Sequence, residues 1–222
     1  MGSAGAVWGN EMIGAIKALI AELLRTRGDA VPVVLDLGCG ARKRAGAIGI
    51  DRLQCDDVDI VGDVTEVLKS FPNESIDEIV SNHFVEHVEN FEELLEEMFR
   101  VLRRGGGISV VAPHFSNPYY YSDYTHRRFF GLYSFCYTAQ YDSRILKRRV
   151  PQYRKFQGLI LVSVNLVFKT SRPFYLRYLL ERFAGLVFNS NRMMKELYER
   201  AFCYWWPCYE LHYVLRKEAS AN

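Results

Sequence analysis

Val33-Val34-Leu35-Asp36-Leu37-Gly38-Cys39-Gly40 is the stretch whose reading decides the fold. Four aliphatics with one acid among them, running into Gly-Cys-Gly, predict a buried parallel strand that ends in a turn where the backbone must approach something closely. Glycine is wanted at such a turn because a Cβ would obstruct both the unusual φ/ψ and the approaching group. The pattern points to a nucleotide-like ligand at the strand's carboxyl end.

Two readings of that turn compete. A nicotinamide fingerprint needs a third glycine three residues after the second, and an acid about 20 residues further on. Here Ala41, Arg42 and Lys43 follow Gly40, and the next strand, Ala47-Ile48-Gly49-Ile50, ends in Asp51 after room for only one or two helical turns. NAD fits this poorly. The stretch resembles instead the class I S-adenosylmethionine (SAM)-dependent methyltransferases, in which hydrophobic-Asp/Glu-x-Gly-x-Gly closes the first strand and an acid ends the second. A third short strand, Val58-Asp59-Ile60-Val61, ends in Gly62-Asp63. Acids just past consecutive parallel strands share the rim where open α/β sheets bind ligands. The resemblance implies that Asp51, with Arg52, holds the ribose diol and that Asp63, with Val64, faces the adenine. Helix capping is the plainer alternative for each acid. Asp36 is expected to be buried beside Gly38, Cys39 and Gly40, ordering their amides and the methionyl amine through water.

Outward from this core, Asn10 to Arg27 carries Met12, Ile13, Ile16, Leu19, Ile20, Leu23 and Leu24 at helical spacing and stops at Gly28. Ile76-Asp77-Glu78-Ile79-Val80 reads as strand four. Asn90 to Arg103 reads as an amphipathic helix with an asparagine cap. Gly105-Gly106-Gly107 breaks that helix, and Ile108-Ser109-Val110-Val111-Ala112 is strand five. Glu86-His87 followed by Arg100-Val101-Leu102-Arg103-Arg104-Gly105-Gly106 is similar to the Glu-His and Arg-Val-Leu-x-x-Gly-Gly pattern of the type 11 methyltransferases. The expected architecture is therefore α/β: a Rossmann-like, doubly wound, mostly parallel seven-stranded sheet with a C-terminal antiparallel hairpin and a helical insertion. SAM is the implied cofactor and S-adenosylhomocysteine the product, with Ser81, Asn82 and His83 completing the cofactor rim after strand four.

After strand five, residues 113–130 are aromatic, polar and broken by proline, the character of a substrate loop beside a cofactor. His83, His87, His114 and His126 all lie on loops that this topology gathers above the sheet. Their spacing is not that of a zinc motif, and no metal ligand is assigned. A histidine general base near neutrality suits a hydroxyl acceptor held in line with a methyl donor. His114 is the first choice, then His126, which forms an Asp-x-x-His pair with Asp123 that resembles family members acting on sugars, then His83. His87 reads as a loop-orienting residue. Relatives that methylate amino groups commonly carry Asn/Asp-Pro-Pro-Tyr/Phe after strand four, where this chain has Ser81-Asn82-His83-Phe84. A small hydroxylated or glycan acceptor is the better expectation, with Tyr119, Tyr120, Tyr121 and Tyr124 available to stack on it.

Composition bounds the rest. Apolar residues at 49% and charged residues at 24% exclude a disordered chain, and a net charge of +2 makes no global case for nucleic acid. Five scattered cysteines without a C-x-x-C pair suit a reduced, cytoplasmic setting, and the first residues lack the pattern of a signal peptide. A single domain over 1–222 is expected: an N-terminal helix (1–30), a SAM-binding core (31–112), a substrate loop and basic segment (113–158), and closing strands with a helical insertion (159–222, insertion 171–201). Arg144, Lys147, Arg148, Arg149, Arg154 and Lys155 form a basic run suited to phosphate or a peripheral membrane surface. Leu159 to Phe168 and Glu210 to Arg216 read as the closing hairpin. Between them the apolar stretch 171–206 suggests a partner surface, a homodimer or an interfacial membrane contact. The reading from another class is a non-catalytic SAM-binding scaffold that engages a partner through its basic, aromatic last third.

Overall fold

Five parallel strands carry the amino-terminal half: β1 (Val34–Leu37), β2 (Ile48–Asp51), β3 (Ile60–Val61), β4 (Ile76–Asn82) and β5 (Leu102–Pro113). The structure is a computed structural model that describes residues 10–27, 31–153, 156–170 and 174–219. The helix stop at Gly28, the basic pair Arg154 and Lys155, and the start of the insertion at 171–173 lie outside the described residues. β8 (Glu210–Lys217) pairs antiparallel with β5 on one side and with β7 (Leu159–Val167) on the other. The order is β3-β2-β1-β4-β5-β8-β7-β6, so the direction of winding reverses between β1 and β4. A crevice at the carboxyl ends of strands flanking such a reversal is where this architecture places ligands.

The sheet has eight strands rather than seven because Gln140–Tyr141 forms a two-residue β6 along β7. Two residues carry no alternation to read. β5 also starts six residues earlier than its apolar run, at Leu102, which pairs with Ile76 before a register shift lets Gly107 pair with Glu78. The helix expected to reach Arg103 therefore ends at Val101, and the glycine run lies inside the strand.

The core is built from the strand faces and the stripes of three helices, α1 (Asn10–Arg27), α2 (Val64–Lys69) and α3 (Phe91–Val101). Leu35, Leu37, Ile48, Ile50, Ile79 and Ile108 are within 1% of full burial, joined by Ile16 and Ile20, Val67 and Leu68, and Leu94, Leu95 and Met98. Asn90 caps α3 by accepting from Glu93 N. Arg100 fastens its far end: one guanidinium donates to Phe71 O, Leu68 O, Asn73 Oδ1 and Glu97 Oε2. The arginine of the Arg-Val-Leu pattern is thus a tie between α3 and the end of α2.

The insertion forms α4 (Tyr175–Phe188) and α5 (Arg192–Leu197), followed by a π turn over Tyr198–Phe202. Phe168, Phe188 and Tyr198 pack together at its base. Leu176, Leu179, Phe183 and Leu186 of α4 face outward and stay exposed. Among the described residues, no helix is long and apolar enough to cross a membrane.

Candidate active site

The turn after β1 has the geometry its glycines require. Gly38 sits at φ +68°, and a Cβ there would stand 2.4 Å from Phe84 Cγ, so no other residue fits. Gly40, at φ +50°, opens onto space with nothing within 4 Å of where its Cβ would be. That open side is the cradle expected for a nucleotide-like group. The amides are held from below: Gly38 N donates to Ile50 O, and Gly40 N donates to Asp51 Oδ2 at 2.8 Å. Asp51 Oδ1 accepts from Leu53 N at 2.8 Å. Each carboxylate oxygen has a further lone pair to offer.

Asp36 is buried as expected, and its direct hydrogen bond goes to a later part of the loop. Its Oδ2 accepts from Arg44 N at 2.7 Å, and neither turn amide reaches it. Burial, only partly offset by that hydrogen bond and by Arg44 and Lys43, raises its carboxyl above the usual range. Burial, with Asp36 and Asp51 nearby, pushes the Cys39 thiol up to about 11, so it stays protonated and is no nucleophile. Asp63 is the N-cap of α2: its Oδ1 accepts from Thr65 N and Glu66 N, and its Oδ2 pairs with Arg52 at 2.7 Å. Val64, buried, opens the same helix. Ser81 is fully buried at the end of β4, and its Oγ has no protein partner, whereas Asn82 next to it is exposed.

Three of the four loop histidines come together, and His114 does not. His114 is fully buried; its Nδ1 accepts from Ser116 N at 3.0 Å, and its Nε2 stands 3.4 Å from Glu199. A side chain without a face to the crevice cannot take a proton from a substrate, which removes the first choice for the base. His114, directly after β5, is held by a parallel bridge to Phe130. His83 has a backbone φ of +51°, a conformation few side chains adopt. Its Nε2 meets Glu210 Oε2 at 3.0 Å and its Nδ1 lies 3.4 Å from Glu86 Oε1. The bond to Glu210, then the neighbouring Glu86 carboxylate, raises its pKa to about 9. His83 is therefore already charged at neutral pH and has no lone pair to give.

Glu210, His212 and Lys169 were not singled out by the sequence. Glu210 is buried at 1% exposure, with His212 Nε2 at 2.6 Å and Lys169 Nζ at 2.5 Å besides His83. Burial alone would raise its carboxyl, but the bonds from His212, His83 and Lys169 outweigh it and hold it well below the ordinary range. The alternation of β8 puts positions 210 and 212 on one face, which is the signal that was available.

The remaining two imidazoles face each other, His87 and His126, with ring centroids 4.8 Å apart. Their loops are stitched by backbone: Arg127 N donates to Glu86 O at 2.8 Å, and the Arg128 guanidinium donates to Val88 O and Glu89 O. His126 Nδ1 lies 2.9 Å from Tyr120 O. A carbonyl only accepts, so Nδ1 carries the proton and Nε2 the lone pair. Thr125 Oγ1 bridges Asp123 Oδ1 at 2.6 Å and His87 Nδ1 at 2.9 Å. The hydroxyl donates to the carboxylate, so it accepts from His87 Nδ1–H, and His87 also keeps its lone pair on Nε2. Hydrogen bonds from the Thr125 side chain and amide hold Asp123 below the usual carboxylate range. Tyr120 is buried against His126, while Tyr119, Tyr121 and Tyr124 stand exposed around the same loop.

Comparison with known proteins agrees with this layout. Residues 12–110 match the family model of the methyltransferase domain. A SAM-dependent methyltransferase from Archaeoglobus fulgidus aligns with 92% of this chain and 94% of its own at 16% identity and a TM-score of 0.49. A chain from the complex between the Haloferax volcanii Trm112 methyltransferase activator and a methyltransferase aligns with 94% of this chain and 95% of its own, at 15% identity and a TM-score of 0.50. At such identity the latter likeness speaks for the fold alone. No curated protein matches the sequence.

Proposed function

We propose that this chain, whose residues 12–110 match the family model of the methyltransferase domain, is a class I SAM-dependent methyltransferase that methylates a hydroxyl of a sugar, glycan precursor or other small hydroxylated acceptor, with His126 as general base. The cofactor, when bound, supplies a sulfonium methyl as the electrophile and leaves as S-adenosylhomocysteine. The chain's own residues do the rest. Gly38 lets the turn close over Phe84, Gly40 leaves room for the cofactor, Asp51 offers its free lone pairs to the ribose hydroxyls, and the face of Asp63 toward the crevice meets the adenine edge. The acceptor lies against the loop after β5, where Tyr119, Tyr121 and Tyr124 offer ring faces.

One observation carries the choice of base. His114 is buried, His83 is charged at neutral pH, and His126 alone of the three candidates keeps an unshared lone pair, fixed on Nε2 by the Tyr120 carbonyl. Asp123 Oδ2 stands 3.6 Å from that Nε2. A positioned base contributes typically 10²–10⁴-fold. His126→Asn should therefore slow methyl transfer by about that factor while leaving SAM affinity within about twofold. The measurement is transfer of radiolabelled methyl from SAM to a panel of hydroxylated and amino acceptors. Label appearing on amines alone, or an undiminished rate in His126→Asn, contradicts the proposal.

A further inference from the structure

Glu86, His87 and His126 form a group that the methyl-transfer reading uses only in part. One ligand atom from each lies within 4.8 Å of the other two. We infer that these three side chains bind a divalent first-row metal ion of the zinc class, as a two-histidine, one-carboxylate site.

Glu86 is the observation that points to a ligand. It is fully buried, and neither carboxylate oxygen has a hydrogen-bond partner. Among the described residues, the ion-pair partner it has is His83 Nδ1, at 3.4 Å from Oε1. A buried carboxylate that accepts no hydrogen bond is costly even with one charged neighbour. His83 is shared with Glu210, which leaves Oε2 of Glu86 without a counter-charge. The two histidines are prepared as ligands independently of Glu86. Each donates its Nδ1–H to an oxygen acceptor, His126 to Tyr120 O and His87 to Thr125 Oγ1, and each keeps a free Nε2 lone pair. This is the outer-shell arrangement that orients metal-binding imidazoles, and behind His87 it continues through Thr125 to the Asp123 carboxylate. Two nitrogens and one oxygen, with no thiolate, match the ligand sets of catalytic zinc sites, which keep a fourth position open. Calcium and magnesium prefer oxygen alone. Ligands about 2.1 Å from a tetrahedral ion stand roughly 3.4 Å apart, so the three groups need to close by about an ångström.

The inference shares His126 with the proposed base but does not depend on methyl transfer. A nitrogen that ligates a metal is not a base; in the metal-bound protein the open position would take the acceptor oxygen and lower its pKa instead.

The test is direct binding to the purified full chain, stripped with chelator and titrated with Zn²⁺ and, for its visible d–d absorption, with Co²⁺. One equivalent bound per chain is expected, with Co²⁺ giving the intense bands of a four- or five-coordinate site. Glu86→Gln and His87→Asn should each weaken binding at least tenfold, and Thr125→Val, which removes only the outer-shell hydroxyl, by about 10- to 100-fold. Cys55→Ser, at the half-exposed thiol, should bind as the parent does. Absence of a stoichiometric site in the parent protein, or equal binding in all variants, overturns the inference. Calorimetry with SAM on the same metal-free sample separates the two claims: a chain that binds SAM but no metal refutes the cation site and leaves the methyltransferase reading standing.

Discussion

His83 shows at the scale of one residue how the site is charged. Its pKa is raised to about 9 from 6.5, chiefly by Glu210 and then by Glu86. The folded state therefore holds a proton that the unfolded chain releases, and the stabilisation is complete below pH 6.5 and disappears as pH rises through about 9. His83→Asn should accordingly unfold at lower urea than the parent at pH 6.5 and converge with it at pH 9; a gap that widens with pH contradicts the pairing. The side chain is 42% exposed, so solvent screening keeps the effect modest. Asp51 makes the complementary case on the cofactor side. Its carboxylate holds Gly40 N and Leu53 N, so Asp51→Ala loosens the loop and deprives the ribose of its acceptor. A loss of about 1–3 kcal/mol weakens SAM binding roughly ten- to hundredfold, read by calorimetry, whereas unchanged affinity would place the ribose elsewhere.

Helix α2 is the element on which two readings of one acid meet. Asp63 caps it, so Asp63→Ala should cost about 1 kcal/mol of stability. Asp63→Ser keeps a capping oxygen and should restore most of that loss in a thermal melt. If the acid also faces the adenine, the serine variant stays stable yet binds SAM more weakly; if it is only a cap, stability and affinity recover together. Elements built on strong periodicity were legible before any coordinates: α1, α3, the glycine turn, and the closing strands β7 and β8 follow from apolar spacing and turn chemistry. The two-residue β6 and the early start of β5 were not, because neither carries a pattern of its own. The site divided in the same way. The glycines and Asp51 could be placed because they end strands, while the burial of His114 and the partners of Glu210 depend on how loops far apart in sequence fold back on the sheet.

Across the whole molecule, the core lies between the sheet and its helices, and the outer face of α4 contributes nothing to it. Leu179 and Leu186 are 62% and 75% exposed. Leu179→Glu and Leu186→Glu should each change the unfolding free energy by less than about 0.5 kcal/mol, and a loss of several times that would mean this face is packed in the folded chain. The central claim is that the crevice where the sheet reverses direction takes an adenosyl sulfonium, because the turn after β1 has two left-handed glycines and an open side, carries Lys43 where a nicotinamide fingerprint would have its third glycine, and runs without a helix to the acid that ends β2. Titration calorimetry of the purified chain with SAM, S-adenosylhomocysteine and NAD tests it most directly. The account predicts saturable binding of one SAM per chain, competition by S-adenosylhomocysteine and no heat with NAD. Saturation by NAD, or no binding of SAM, would contradict it.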